Sequence, residues 1–262
     1  MNLDLTGKRA IVCGSTQGIG KASAIELALL GASITLVARD KEKLKTVLKE
    51  IPSPNPKQAH TYLVIDFNFP DNLKVAIEKY AGKETVHILI NNTGGPPAGS
   101  VLDATTDEFI HAFSNHLLCN QILVQALVPK MKKAGYGRII NIISTSVKVP
   151  IRGLGVSNSI RGAVANWSKT LSNEVGPFGI TVNNVLPGTA MTGRLESILK
   201  TKAEKSNKTF EEAKKEMISE IPVGRIADAS EVAAAVAFLA TPAAGYINGI
   251  NVPVDGGRTG SL

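Results

Sequence analysis

Cysteine, aromatic residues and long apolar runs are what this chain has least of. Of its 262 residues two are cysteines, Cys13 and Cys119. Both stand in apolar segments, so buried free thiols in a reducing compartment are expected, rather than a disulfide or a metal pair. No stretch of about 18 apolar residues occurs, so no membrane span is predicted. The opening Met1-Asn2-Leu3-Asp4-Leu5-Thr6-Gly7-Lys8-Arg9 lacks the charged-then-apolar order of a signal peptide, and a cytoplasmic location is expected. Aromatic residues are 5% of the chain and are not interleaved with a basic stripe. No DNA-binding motif is present, and no nucleic-acid partner is expected. The formal charge of +7 reads instead as a solubility surplus or an electropositive mouth for a small-molecule ligand. Lysine clusters at 41–49 and 200–215 are interleaved with glutamates, as on a solvated helix face. His87 and His111 have no partners at ligand spacing, so no metal site is expected.

What is abundant is apolar residues, 44% of the chain, enough for a large core. Short apolar runs at 10–13, 33–38, 61–66, 86–90, 138–143, 180–186 and 251–254 read as strands. Helical spacing or charged amphipathic patterning fills 21–30, 41–50, 71–81, 106–133, 158–174 and 230–239. Residues 193–219 read as one or two polar helices, and Pro52, Pro54 and Pro56 mark a loop. Regular alternation predicts an α/β fold: a doubly wound parallel sheet with helices on both faces. No repeat, low-complexity tract or composition break marks a boundary, so residues 1–262 are expected to form a single Rossmann-type domain.

Gly14-Ser15-Thr16-Gln17-Gly18-Ile19-Gly20 follows the first strand and opens the first helix. Glycines permit a tight turn and close approach of backbone to a pyrophosphate, and the helix N-terminus adds free N–H groups and positive potential. The spacing is G-x-x-x-G-x-G, not the general G-x-G-x-x-G. In this strand–turn–helix setting it predicts a nucleotide site.

That spacing resembles the short-chain dehydrogenase/reductase family, and the resemblance covers the whole chain. Asn91-Asn92-Thr93-Gly94 resembles the family's Asn-Asn-Ala-Gly, with Thr93 for alanine. Asn115 matches its helix asparagine, Asp66 its adenine contact, and Pro187-Gly188 with Thr192 its carboxamide-binding segment. The stretch from Ile221-Pro222-Val223-Gly224-Arg225 to Asp255-Gly256-Gly257 is similar to the 3-oxoacyl-acyl-carrier-protein reductase branch. The resemblance implies cofactor binding by residues 14–20, Asp66, Asn92, Gly94, Pro187, Gly188 and Thr192. It also implies a carbonyl or alcohol substrate, a substrate lid at 193–219 and a homotetramer.

Cofactor choice turns on the end of the second strand. Ala38 holds the position where NAD enzymes place a carboxylate, and Arg39 follows, suited to a 2′-phosphate. Asp40 could serve the NAD role but is expected to cap the helix at 41–50. NADP(H) is favoured over NAD(H). The catalytic slot is the departure. Ser144 matches the family's substrate-orienting serine, but Ser157 and Arg161 stand where the family has Tyr-x-x-x-Lys. A serine hydroxyl is a far weaker acid than tyrosine, and an arginine holds charge without shuttling protons. Three readings follow: a slow reductase, a cofactor-binding protein with little or no redox activity, or another reaction in the same pocket. Asn115 is assigned to the site with Ser144, Ser157 and Arg161. His116 is expected to point away, because adjacent helix residues diverge by about 100°. The loop 94–99 borders the site or is an ordinary turn, and Tyr246 is expected at a subunit contact.

Overall fold

Seven apolar runs form seven strands: β1 (Arg9–Cys13), β2 (Ser33–Ala38), β3 (Thr61–Val64), β4 (Ile88–Asn91), β5 (Gly137–Ile142), β6 (Ile180–Pro187) and β7 (Asn251–Val254). The computed structural model describes residues 1–261, the side chains of Arg194, Thr201 and Lys205 excepted. All six strand pairings are parallel, in the order β3-β2-β1-β4-β5-β6-β7. The helices are α1 (Gly18–Leu29), α2 (Lys41–Glu50), α3 (Pro70–Lys83), α4 (Thr106–Phe113), α5 (Cys119–Ala134), α6 (Gly155–Val175), α7 (Gly193–Ser206), α8 (Phe210–Ser219) and α9 (Ala229–Leu239).

Strand residues alternate between two cores, as a period of two requires. Val12, Leu36, Ile90 and Ile140 pack on one face with Leu27 of α1 and Val236 of α9. Ile11, Val37, Leu89 and Ile139 pack on the other with Ile77 of α3 and Leu127 of α5. Burial of each such side chain stabilises by roughly 1.5–3 kcal/mol. Two apolar faces on one sheet explain the near-continuous apolar runs and make this the doubly wound α/β fold expected. Strand order reverses between β1 and β4, which opens a crevice beyond their C-terminal ends.

Several element bounds differ from expectation by a few residues, and three of the differences have a local cause. The first helix starts at Gly18, because the glycine turn itself winds into it. The third strand stops at Val64, short of 66. Asp66 there turns the chain by accepting from the Asn68 N–H at 3.0 Å. The helix expected over 106–133 is interrupted by a π-helical turn at Ser114–Leu118. The segment 193–219 forms two helices, α7 and α8, around their own small core of Leu195, Leu199, Ala203 and Ala213.

Candidate active site

The glycine turn lies at the crevice. Gly14 and Gly18 have φ of 59° and 54°, left-handed values that favour glycine. A Cβ on Gly20 would stand 2.2 Å from the Gly14 carbonyl oxygen, and one on Gly14 would stand 2.6 Å from that of Asn92. The first turn of α1 carries no acidic residue, so its N–H groups and positive end are unopposed. This cradle fits an anionic pyrophosphate. Thr16, Gln17 and Ile19 lie along it, half-buried or exposed. Ser15 does not face the crevice openly: it is fully buried, and its hydroxyl accepts from the Val37 N–H at 3.0 Å. It fixes the turn to β2.

Other candidates converge on the same turn. The Asn92 amide donates to the Cys13 and Gly14 carbonyls at 3.3 Å each, tying the end of β4 to the end of β1. Thr192 caps α7 by accepting from the Leu195 N–H at 3.3 Å. Its methyl is 3.1 Å from where a Gly18 Cβ would be. Pro187 ends β6, and the Gly188 N–H donates to the Val254 carbonyl at 2.9 Å. A Cβ on Gly188 would meet Asp255 at 2.5 Å, so that glycine answers to packing as well. Gly94 is exposed in the loop after β4. Arg39 is exposed just past β2, and Asp66 is half-buried past β3. Asp40 caps α2, accepting from the Glu42 and Lys43 N–H groups at 3.1 and 3.0 Å.

Ser157 and Arg161 sit one turn apart on the buried face of α6. Arg161 donates to the Ile142 carbonyl at the end of β5, 3.1 Å away. Ser144 follows β5 and accepts from the Ser146 N–H at 3.0 Å. Its own O–H proton is left to donate. The short turn at Thr145–Val147 packs against α6. Behind Arg161 lies a small cavity, shared with Asn91, Asn92, Thr93, His116 and Asn120. No tyrosine among the described residues lines it. Tyr136 donates to the Ala240 carbonyl at 2.6 Å, Tyr80 pairs with Thr35, Tyr62 lies in β3, and Tyr246 is fully exposed.

Asn115 is placed elsewhere. Its amide donates to Asn68 Oδ1 at 2.9 Å and bonds His111 at 3.0 Å. His116 is the residue turned inward: it is 3% exposed and shares a 2.6 Å hydrogen bond with Thr93 Oγ1. The two do diverge as adjacent helix residues must, but the phase is the opposite of that expected. Buried Ala112 marks the inner face of α4, and His116 lies four residues on. That apolar spacing was the available signal, and the asparagine's identity masked it.

A second feature extends from Asn91 of the Asn91-Asn92-Thr93-Gly94 motif across the sheet. Asn91, Asn141, Asn184 and Asn251 are in register across β4, β5, β6 and β7. Each amide donates to the next carbonyl, at 2.8, 2.9 and 2.8 Å. Asn141 also donates to Ser168 at 3.2 Å. Asn91 Oδ1 ends the row, buried and without a partner among the described residues, at the wall of the Arg161 cavity.

Comparison with known proteins agrees with this fold. A family model described as enoyl-(acyl carrier protein) reductase matches residues 14–259. The chain belongs to the short-chain dehydrogenase/reductase family. It is 30% identical to the 3-oxoacyl-(acyl-carrier-protein) reductase FabG of Haemophilus influenzae, over 97% of this chain and 98% of that protein. It is 28% identical to the NADPH-dependent reductase BacG of Bacillus subtilis, over 98% of this chain and 100% of that protein. The L-sorbose reductase of Gluconobacter frateurii, solved with NADPH and L-sorbose, matches with a TM-score of 0.92 at 27% identity and covers 100% of each chain.

Proposed function

We propose that this chain is an NADP(H)-dependent oxidoreductase that reduces a carbonyl, with 3-oxoacyl compounds among the candidate substrates, through an atypical catalytic slot. The convergence of Gly14, Gly18 and Gly20 with Asn92 and Thr192 carries the reading, because it sets an α1 N-terminus without acidic residues at the crevice, which suits an anionic pyrophosphate. NADPH in BacG and in the L-sorbose reductase supports the cofactor, as does Arg39, whose guanidinium suits a 2′-phosphate.

When bound, the cofactor supplies the hydride. Ser144 donates its hydroxyl proton as a hydrogen bond to the substrate's carbonyl oxygen, and Ser157 orients that oxygen. Arg161 stabilises the negative charge that develops on it. No side chain in this set is a competent acid near neutral pH, so the proton comes from water or from another side chain. Loss of a general acid typically costs about 10²–10⁴-fold, which describes a slow enzyme. Residues 193–219 act as the lid over the substrate. The exposed apolar residues Ile110, Phe113 and Leu118 beside the π turn, together with the family resemblance, support a homo-oligomer, a tetramer by that resemblance. The two buried thiols favour the cytoplasm.

The test is fluorescence titration with NADPH and NADH, then turnover on ketones, activated diketones and 3-oxoacyl thioesters. Tighter binding of NADPH with measurable turnover is expected. Tight binding with no turnover across the panel would establish instead a cofactor-binding protein without redox chemistry. In the Ser157→Tyr/Arg161→Lys variant the rate should rise by about 10²–10⁴-fold. No gain would mean that the pocket has changed beyond this pair.

A further inference from the structure

A second concavity, of about 610 Å³, opens at the opposite end of the sheet, where β1, β2 and β4 begin. Its volume is in the range of small-molecule sites, about 300–1,000 Å³. Lys8, Arg9, Lys57 and Lys83 line it. Among the described lining residues Glu84 is the only carboxylate, and it is paired with Arg9 at 3.0 Å. Three positive charges are therefore left uncompensated in one concave region, which attracts anions. His87 adds a neutral donor: its Nδ1 accepts from the Arg9 N–H at 3.1 Å, so its proton is on Nε2. Burial, and after it the charges of Lys8 and Arg9, hold this imidazole below its usual range.

The walls are built rather than incidental. Gln58 donates to the Ala28 and Ala32 carbonyls at 2.8 Å each and accepts from the Asn55 N–H at 2.9 Å. Asn55 in turn accepts from the Lys57 N–H at 2.9 Å. This lock holds the Lys57 backbone at one rim. Opposite, Lys130 donates to the Gly82 and Glu84 carbonyls and fixes the end of α3 that carries Lys83. The Lys8 ammonium lies 4.2 Å from the centre of the Tyr136 ring, which orients it.

We propose that this concavity binds a compact polyanion of the pyrophosphate type, at a site separate from the nucleotide cleft. Five residue steps along β1 separate Arg9 from Gly14, about 17 Å at roughly 3.3 Å each, so one ligand group cannot occupy both. Lysines act as point charges toward phosphoryl oxygens, and among the described lining residues there is no phenylalanine, tyrosine or tryptophan to stack a base.

The experiment is calorimetric titration of inorganic pyrophosphate into NADPH-saturated protein at constant ionic strength, with NADPH affinity followed in parallel by fluorescence. One saturable site per chain is expected. The Lys57→Ala/Lys83→Ala variant, which alters two exposed side chains, should bind pyrophosphate at least tenfold more weakly, with NADPH affinity and unfolding temperature unchanged. Absence of saturable binding, equal binding by the variant, or binding abolished by NADPH would overturn the proposal.

Discussion

At the residue scale the proposed function separates holding a cofactor from delivering a proton. Gly14, Gly20 and Asn92 meet at distances that a Cβ would violate, whereas Ser157 and Arg161 on α6 stand in the proposed catalytic slot, where the family resemblance implies an acid. Arg39 tests the cofactor half independently of catalysis. It stands exposed past β2, next to an Asp40 whose carboxylate is committed to capping α2. Hydrogen bonds to charged groups contribute about 1.5–3 kcal/mol, or roughly tenfold to a hundredfold in affinity. Arg39→Asp should therefore weaken NADPH by that factor and leave NADH equal or tighter. Parallel fluorescence titrations read this directly, and an unchanged ratio would remove Arg39 from the cofactor site. Cys13 and Cys119 need no functional role, since burial raises both thiols, that of Cys119 to about 12. Thiolate chemistry at neutral pH is closed to them.

At the scale of elements, the asparagine row ties the ends of four strands beside the slot. Parallel pairing leaves register to side chains that meet across it, and here those are amides in the core. Asn141→Leu would leave the Asn91 amide and the Asn184 carbonyl without their bonds. Each such group costs about 1–3 kcal/mol. Urea unfolding should show a loss of that order, and a change under about 0.5 kcal/mol would mean the row carries no weight. The row was invisible in the sequence because Asn91 and Asn141 are 50 residues apart and only the sheet order brings them together. The strands, the glycine turn and most helices were legible, since burial on two faces writes itself as apolar runs and glycine as a steric need. The phase of the interrupted helix was not. A π turn adds a residue to one turn, and a matching asparagine at 115 drew attention away from the inner-face spacing of Ala112 and His116.

At the scale of the whole molecule, the two ends of the sheet carry different chemistry, and the end away from the crevice couples stability to pH. His60 Nδ1 accepts from the Ile34 N–H at 3.0 Å, and His87 Nδ1 accepts from the Arg9 N–H at 3.1 Å. Each imidazole is thus built into the start of a strand as the neutral form. Burial lowers both, for His60 against a weaker pull from the Pro52 carbonyl, and for His87 with help from Lys8 and Arg9. Protonation would turn each Nδ1 into a donor facing a donor. A group held below its unfolded value of 6.5 binds fewer protons folded than unfolded, so stability rises with pH through that range. The contribution is complete above pH 6.5 and is lost as pH falls through the folded values. Chemical denaturation should show little change between pH 7.5 and 6.5 and a loss of stability between pH 6.5 and 5.5, in a range above that where exposed carboxylates titrate. In His60→Asn/His87→Asn, where an amide oxygen can take over the acceptor role without titrating, the decline should flatten. An equal slope in that variant would assign the pH dependence to other groups and leave the two histidines as ordinary packing residues.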